Sequence, residues 1–186
     1  MAPQHQSSGR LAGKTAIVTG ACGGIGTEIV RCFTREGAKV TAVDLVEPDS
    51  EAARALLAIS PLADYRKLDI SAEEEVAKFY RELSSKAAPV DVLVNNAGII
   101  LGKALQETTV AEWDRLAAIN GRGTFLMMRG VLPLISKEGS VVNISSSAAL
   151  RCPMIAAAMS SGSVSCSSAS ASVSRNQEMS RLSFRA

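Results

Sequence analysis

Apolar and polar positions along this chain alternate between two periods. Lys14 to Thr19 is a short, partly β-branched apolar run that ends on glycines, and from Gly24 to Arg35 the apolar residues Ile25, Ile29, Val30 and Phe33 recur at helical spacing. The pattern predicts a strand, a tight turn and a helix. Gly37 stops that helix, Lys39 to Leu45 has strand character, and Asp49 to Ile59 is expected to be helical with Pro48 just ahead of it. The alternation then repeats. Tyr65 to Ile70 is a weak third strand, Ser71 is expected to cap a helix with Glu74 three residues on, and Val90 to Asn95 is a buried fourth strand. Thr109 to Ile135 is expected to be mostly helical, and Gly139 introduces a fifth strand, Ser140 to Ser145.

Strands alternating with helices over this length imply right-handed crossovers and a parallel sheet covered on both faces, so the expected fold class is α/β, a doubly wound parallel sheet. Ligands of such sheets sit beyond the carboxyl ends of the strands, where the glycine turn, Asp44, Asp69, Asn95 to Gly98 and Ser145 to Ser147 all fall. At 186 residues and 47% hydrophobic content the chain can bury one sizeable core. The expected domains are a flexible arm over 1–10, one domain over 11–156 and a tail over 157–186. In that tail 11 of the 27 residues from Ser160 to Ala186 are serine, which leaves too little buriable surface to offset ordering entropy. The tail is expected to be disordered and to supply no further core strand, leaving the sheet incomplete on its C-terminal side.

Charge and cysteine usage narrow the function classes. The net charge of +2 comes from acids and bases spread along the chain, so no basic stripe marks a nucleic-acid partner. No apolar run reaches the roughly 18 residues of a membrane helix. Cys22, Cys32, Cys152 and Cys166 form no Cys-x-x-Cys pair and are expected to be reduced thiols in a cytoplasmic protein. The single histidine, His5, sits in the polar arm, so neither zinc ligation nor a histidine-dependent triad has its usual residue. No metal site is expected.

The chemistry is concentrated in two motifs. Thr19-Gly20-Ala21-Cys22-Gly23-Gly24-Ile25-Gly26 follows a strand and opens a helix, where backbone N–H groups and the helix dipole can meet a pyrophosphate. Gly20, Gly24 and Gly26 stand where a Cβ would block the turn, the phosphate's approach or helix–strand packing. About 20 residues on, Asp44 ends the second strand, placed to accept hydrogen bonds from both hydroxyls of an adenosine ribose and to repel a 2′-phosphate. The turn holds no Lys or Arg to neutralise an extra phosphate, which also favours NAD over NADP. The second motif, Asn95-Asn96-Ala97-Gly98, ends the fourth strand.

These residues, with Asp69-Ile70, Trp113-Asp114 leading to Asn120, and Val141-Val142-Asn143-Ile144-Ser145-Ser146, resemble the short-chain dehydrogenase/reductase family in its single-domain, Rossmann-like form. The resemblance runs from about Leu11 to Ser147. It implies an NAD-dependent oxidoreductase that interconverts a secondary alcohol and a ketone by hydride transfer. It further implies that Gly20, Cys22, Gly24, Ile25, Gly26, Asp44, Asp69, Ile70, Asn96, Ala97 and Gly98 hold the cofactor, with Asp69 and Ile70 at the adenine. Asn120 would organise a proton-relay water. Ser146 would orient the substrate carbonyl, with Ser145 and Ser147 as alternatives in the same run. A second copy or a full-length relative would pair through the 111–135 helix.

One part of the family pattern is missing. The family's proton transfer uses a tyrosine about a dozen residues after that serine and a lysine four residues further, and the matching positions here are Met159 and Ser163. No tyrosine follows Tyr80 and no lysine follows Lys137. The switch after Ile155 to serine-rich sequence has the character of an altered reading frame or a truncated product, so a second expectation is a non-catalytic chain that binds nucleotide or a partner.

Overall fold

In the computed structural model of the chain, residues 9–85 and 89–146 are described, together with the backbone of 174–175. The elements run β1 (Thr15–Thr19), α1 (Gly24–Arg35), β2 (Lys39–Asp44), α2 (Glu51–Leu57), β3 (Ala63–Lys67), α3 (Glu73–Ser85), β4 (Val90–Asn95), α4 (Val110–Ala117), α5 (Thr124–Val131), β5 (Ile135–Asn143) and β6 (Ser174–Arg175). A π-helical turn, Ala118–Gly123, joins α4 to α5. The strand order is β3-β2-β1-β4-β5-β6, and every pair from β3 to β5 is parallel. The chain builds outward from β1 to β3, then crosses back to place β4 on the other side of β1. That reversal opens a crevice at the carboxyl ends of β1 and β4.

Residues alternate between two apolar layers because successive side chains of a strand point to opposite faces. Ile17, Val43 and Leu93 pack with α3 and α5 through Phe79, Tyr80, Leu126 and Met127. Ala16, Val18, Val40 and Val94 pack with α1 and α2 through Val30, Ala53 and Leu56. The doubly wound parallel α/β arrangement is the one the strand–helix alternation predicts.

Several boundaries differ from the sequence pattern. The third strand is Ala63–Lys67, not Tyr65 to Ile70. Leu68 and Ile70 are apolar because they are buried beneath the crevice as the chain leaves the sheet, not because the ladder continues through them. Ser71 does not cap α3. Its N–H and hydroxyl both donate to Asp69 Oδ1, at 2.8 and 2.6 Å, and α3 begins at Glu73 with three acidic residues in its first turn. The helix expected to reach Ile135 ends at Val131. Ile135 instead pairs with Val90, the register shifts, and Ser140 then pairs with Val92, so β5 spans a bulge around the buried Gly139.

The serine-rich tail, expected to add no strand, contributes the two-residue β6, which pairs antiparallel with Ser140 and Val141 of β5. An edge strand presents unpaired N–H and C=O groups that such a segment can satisfy. Arg10, expected in the flexible arm, is fastened by its N–H to Glu36 Oε2 at 2.9 Å. The expectations for His5, Ser147, Cys152, Met159, Ser163, Cys166 and the rest of the tail lie outside the described residues.

At the sheet end opposite the crevice, Asp91 of β4 joins three strands. Its carboxylate accepts from Thr15 N–H at 2.9 Å, Lys14 Nζ at 3.1 Å and Ser136 Oγ at 2.9 Å, with its side chain 12% exposed. Burial alone would raise the Asp91 pKa, but the donors from Thr15, Lys14 and Ser136 outweigh it and hold the carboxyl below its ordinary value. A depressed carboxylate pKa stabilises the fold above the unfolded-state value near 4 and loses that contribution as pH falls through the folded one. Asp91→Ala is expected to cost about 1–3 kcal/mol in denaturant unfolding at pH 7, through the donors left unpaired. Asp91→Asn should cost less and flatten the loss of stability below pH 4.

Candidate functional site

The crevice begins with the glycine turn. Gly20 has φ +63°, and a Cβ there would lie 2.7 Å from Ala97 Cα; a Cβ on Gly26 would lie 2.1 Å from Gly20 O. Neither position has room for a side chain. Gly24 differs, because a Cβ there would meet nothing within 4 Å, so its bare face opens onto free space at the start of α1. No side chain caps α1 and its first turn holds no acid. Its first N–H groups therefore face the crevice without a protein acceptor from a cap, a setting that suits an anionic group.

Thr19 ties this turn to the second motif. Its buried Oγ1 accepts the N–H groups of Asn96 and Ala97, both at 3.1 Å, and Asn96 Nδ2 donates back to Thr19 O and Gly20 O at 3.0 and 3.1 Å. Asn95, buried one residue earlier, donates through Nδ2 to Asn143 Oδ1 of β5 at 2.9 Å. The Asn-Asn-Ala-Gly segment is thus bonded to the strand on each side of β4.

Asp44 closes the far wall. Its Oδ2 accepts Cys22 N–H at 2.8 Å and its Oδ1 accepts Leu45 N–H at 2.7 Å, which fixes the carboxylate and leaves each oxygen further acceptor capacity. The Cys22 thiol lies half-buried beside it. Burial, and then the Asp44 carboxylate, push its pKa up to about 11, so the sulfur stays a thiol.

One cleft of about 580 Å³ gathers these parts. All eleven residues expected at a cofactor line it: Gly20, Cys22, Gly24, Ile25 and Gly26 from the turn, Asp44, Asp69 and Ile70 from the ends of β2 and β3, and Asn96, Ala97 and Gly98 after β4. Ile99, Arg115 and Ile119 also line it and were not singled out from the sequence. Arg115 and Ile119 are one helical turn apart, a spacing that could have marked them as a shared face.

The two residues expected in catalysis stand apart from that wall. Ser146 is exposed just past the end of β5 and does not line the cleft. Asn120 sits in the π-helical turn, with Oδ1 accepting Ile99 N–H and Nδ2 donating to Ile99 O, both at 2.9 Å. Its amide holds the segment after Gly98 in place. The extra residue of a π-turn re-aims side chains, and such turns recur at functional sites. The two tyrosines within the described residues are both engaged elsewhere. Tyr80, buried, donates to Met127 O at 2.8 Å, and Tyr65 donates to Val46 O at 2.6 Å.

Comparison with known proteins agrees with this geometry. The family model described as short chain dehydrogenase matches residues 14–164. Sorbitol dehydrogenase of Cereibacter sphaeroides is 37% identical over 146 residues, covering 76% of this chain and 56% of that protein. The 3-alpha-(or 20-beta)-hydroxysteroid dehydrogenase of Mycobacterium tuberculosis is 36% identical over 141 residues, covering 75% and 54%. Among solved structures, a short-chain dehydrogenase/reductase from Brucella melitensis described as a glucose/ribitol dehydrogenase superposes with TM-score 0.70 at 32% identity, covering 78% of this chain and 62% of that one. The chain spans about half the length of the curated relatives it matches. With the glycine turn, the Asn-Asn-Ala-Gly segment and the parallel sheet all in the family's order, the chain belongs to the short-chain dehydrogenase/reductase family.

Proposed function

We propose that this chain is the cofactor-holding part of an NAD-dependent oxidoreductase whose substrates are a secondary alcohol and its ketone. The observation that carries the proposal is the single cleft lined by the glycine turn, Asp44, Asp69-Ile70 and Asn96 to Gly98. The residues present fit a dinucleotide. The open face of Gly24 and the uncapped start of α1 suit the pyrophosphate, and the Asp44 carboxylate suits two ribose hydroxyls. Asp69 keeps one carboxylate oxygen beyond the Oδ1 that Ser71 occupies, and the apolar side chain of Ile70 can wall an adenine.

NAD, when bound, supplies the hydride acceptor. This chain's residues orient it: Thr19 and Asn96 hold the floor, and Asn120 holds Ile99 at its edge. Ser146 is the hydroxyl we assign to the substrate carbonyl. The matching positions for the acid–base pair are Met159 and Ser163, neither of which can move a phenolic proton under a cationic neighbour. The chain by itself therefore binds the dinucleotide better than it turns over. The named alcohols of its relatives support a small polyol or a hydroxysteroid as the substrate class.

A second reading, partner binding through the 111–135 region, is favoured by one observation. The helix α4 buries none of its residues, and Val110, Trp113 and Phe125 are exposed. Large exposed apolar side chains on a helix face suit a second copy or a full-length relative. The two surfaces adjoin, since Arg115 and Ile119 of the same region line the cleft.

Thermal unfolding with and without millimolar NAD tests the first reading. A cooperative transition is expected to shift upward with NAD, since at about 100-fold excess over Kd the folded state gains about 2.7 kcal/mol; a transition that does not move would overturn the assignment. Asp44→Ala should erase the preference for NAD over NADP, and an unchanged ratio of the two affinities would show that Asp44 does not set it. For the second reading, light scattering should find a dimer that Trp113→Glu converts to monomer with little change in melting, and an unaltered chain that is already monomeric would sink it.

A further inference from the structure

Tyr65 lies in β3 with its ring in the apolar layer shared with α1 and α2, and it is 8% exposed. The ladder pairs Tyr65 with Ala42 of β2, two residues before Asp44. From there its side chain reaches toward the carboxyl ends of the strands. Its hydroxyl donates to Val46 O at 2.6 Å and lies 3.3 Å from Asp44 O, which already accepts the Leu68 N–H at 2.8 Å. Asp44 is the last residue of β2 in the ladder. Val46 follows it beyond the ladder, and the Tyr65 hydroxyl anchors that carbonyl to the sheet.

The Cys22 thiol of the glycine turn is near enough to this hydroxyl for each to bear on the other's titration, and Cys22 gives its N–H to Asp44 Oδ2. Three elements therefore converge behind Asp44: the turn after β1, the end of β2 and β3. Tyr65 does not line the cleft, whereas Asp44, Leu45 and Val46 do. A phenylalanine would fill the same apolar space. The added oxygen is a buried polar group that is costly without a partner, and its partner is the backbone next to the cleft carboxylate. Burial raises the phenol's pKa, so the group is a steady donor across the physiological range.

We infer that Tyr65 is a positioning residue for the nucleotide, acting through Asp44: by holding Val46 it fixes the Leu45 N–H, and with it the carboxylate orientation that receives the adenosine ribose hydroxyls. The inference rests on the NAD-binding reading and adds a residue from behind the cleft wall. With Tyr65→Phe the Val46 carbonyl loses its donor and the 45–46 segment is released, while the ring and the core layer remain. The effect should then fall on ligands whose ribose engages Asp44 and spare those that do not.

The test compares affinities of the full chain for NAD and for an NAD analogue lacking both the 2′- and 3′-hydroxyls of the adenosine ribose, by titration calorimetry. Tyr65→Phe is expected to weaken NAD about three- to tenfold, the range of one net hydrogen bond, and the analogue less than twofold. In an Asp44→Ala background the same substitution should add no further loss. A purely structural role would instead weaken both ligands by the same factor and persist in the Asp44→Ala background, and either result would overturn the inference. Unchanged NAD affinity would overturn it as well. These outcomes leave NAD binding by the unaltered chain intact; if the unaltered chain binds no NAD, the NAD-binding reading and this inference fall together. Melting of each variant without ligand shows whether it is folded. Tyr65→Leu, which removes ring and hydroxyl together, should lower that melting midpoint well below that of Tyr65→Phe if the ring fills the core layer while the hydroxyl anchors Val46.

Discussion

The Thr19 hydroxyl, accepting two backbone N–H groups from residues 77 and 78 positions away, is the contact on which the cleft depends. β1 and β4 are neighbours only because the chain reverses its winding direction between β3 and β4, and such a reversal leaves a gap where the two strands end. Two polar loops meet in that gap. Their N–H and C=O groups are taken out of water and must find partners. Thr19 and Asn96 supply those partners to one another, and the bare backbone of Gly20 lets the loops approach to a distance that a Cβ would forbid.

From that joint the cleft is arranged as a set of backbone segments, each held by a side chain. Asn120 holds Ile99, Asp44 holds Cys22 and Leu45, and Tyr65 holds Val46. The groups left facing the cleft are main-chain N–H groups, the Asp44 and Asp69 carboxylates, Arg115 and apolar walls. Such a surface can recognise a ligand by shape and polarity. Ser146, just past the end of β5, stands apart from that lining. At the opposite end of the sheet, Asp91 performs the matching structural task by joining β1, β4 and β5 where no ligand is expected.

The element boundaries that depart from the hydrophobic pattern share a cause. Leu68 and Ile70 extended the apparent third strand, and Leu134 and Ile135 extended the apparent helix, because apolar character reports burial and does not by itself report backbone conformation. Ser71 had the residue type of a helix cap, yet Asp69 two positions earlier offered its hydroxyl and N–H a carboxylate that competes with the helix end.

The order of strands and helices along the chain, the two-faced burial of the sheet and the glycine turn were legible in the sequence, because hydrophobic period and glycine-rich turns are local properties that a linear pattern can carry; the eleven cleft residues expected at a cofactor came as a set from the family resemblance. Tertiary structure alone decided which backbone groups Thr19, Asn120, Tyr65 and Asp91 would hold, and that a π-turn would carry Asn120. Those pairings join residues 19 to 78 positions apart, and they depend on strand register and on the reversal at β4, neither of which exists until the sheet has formed.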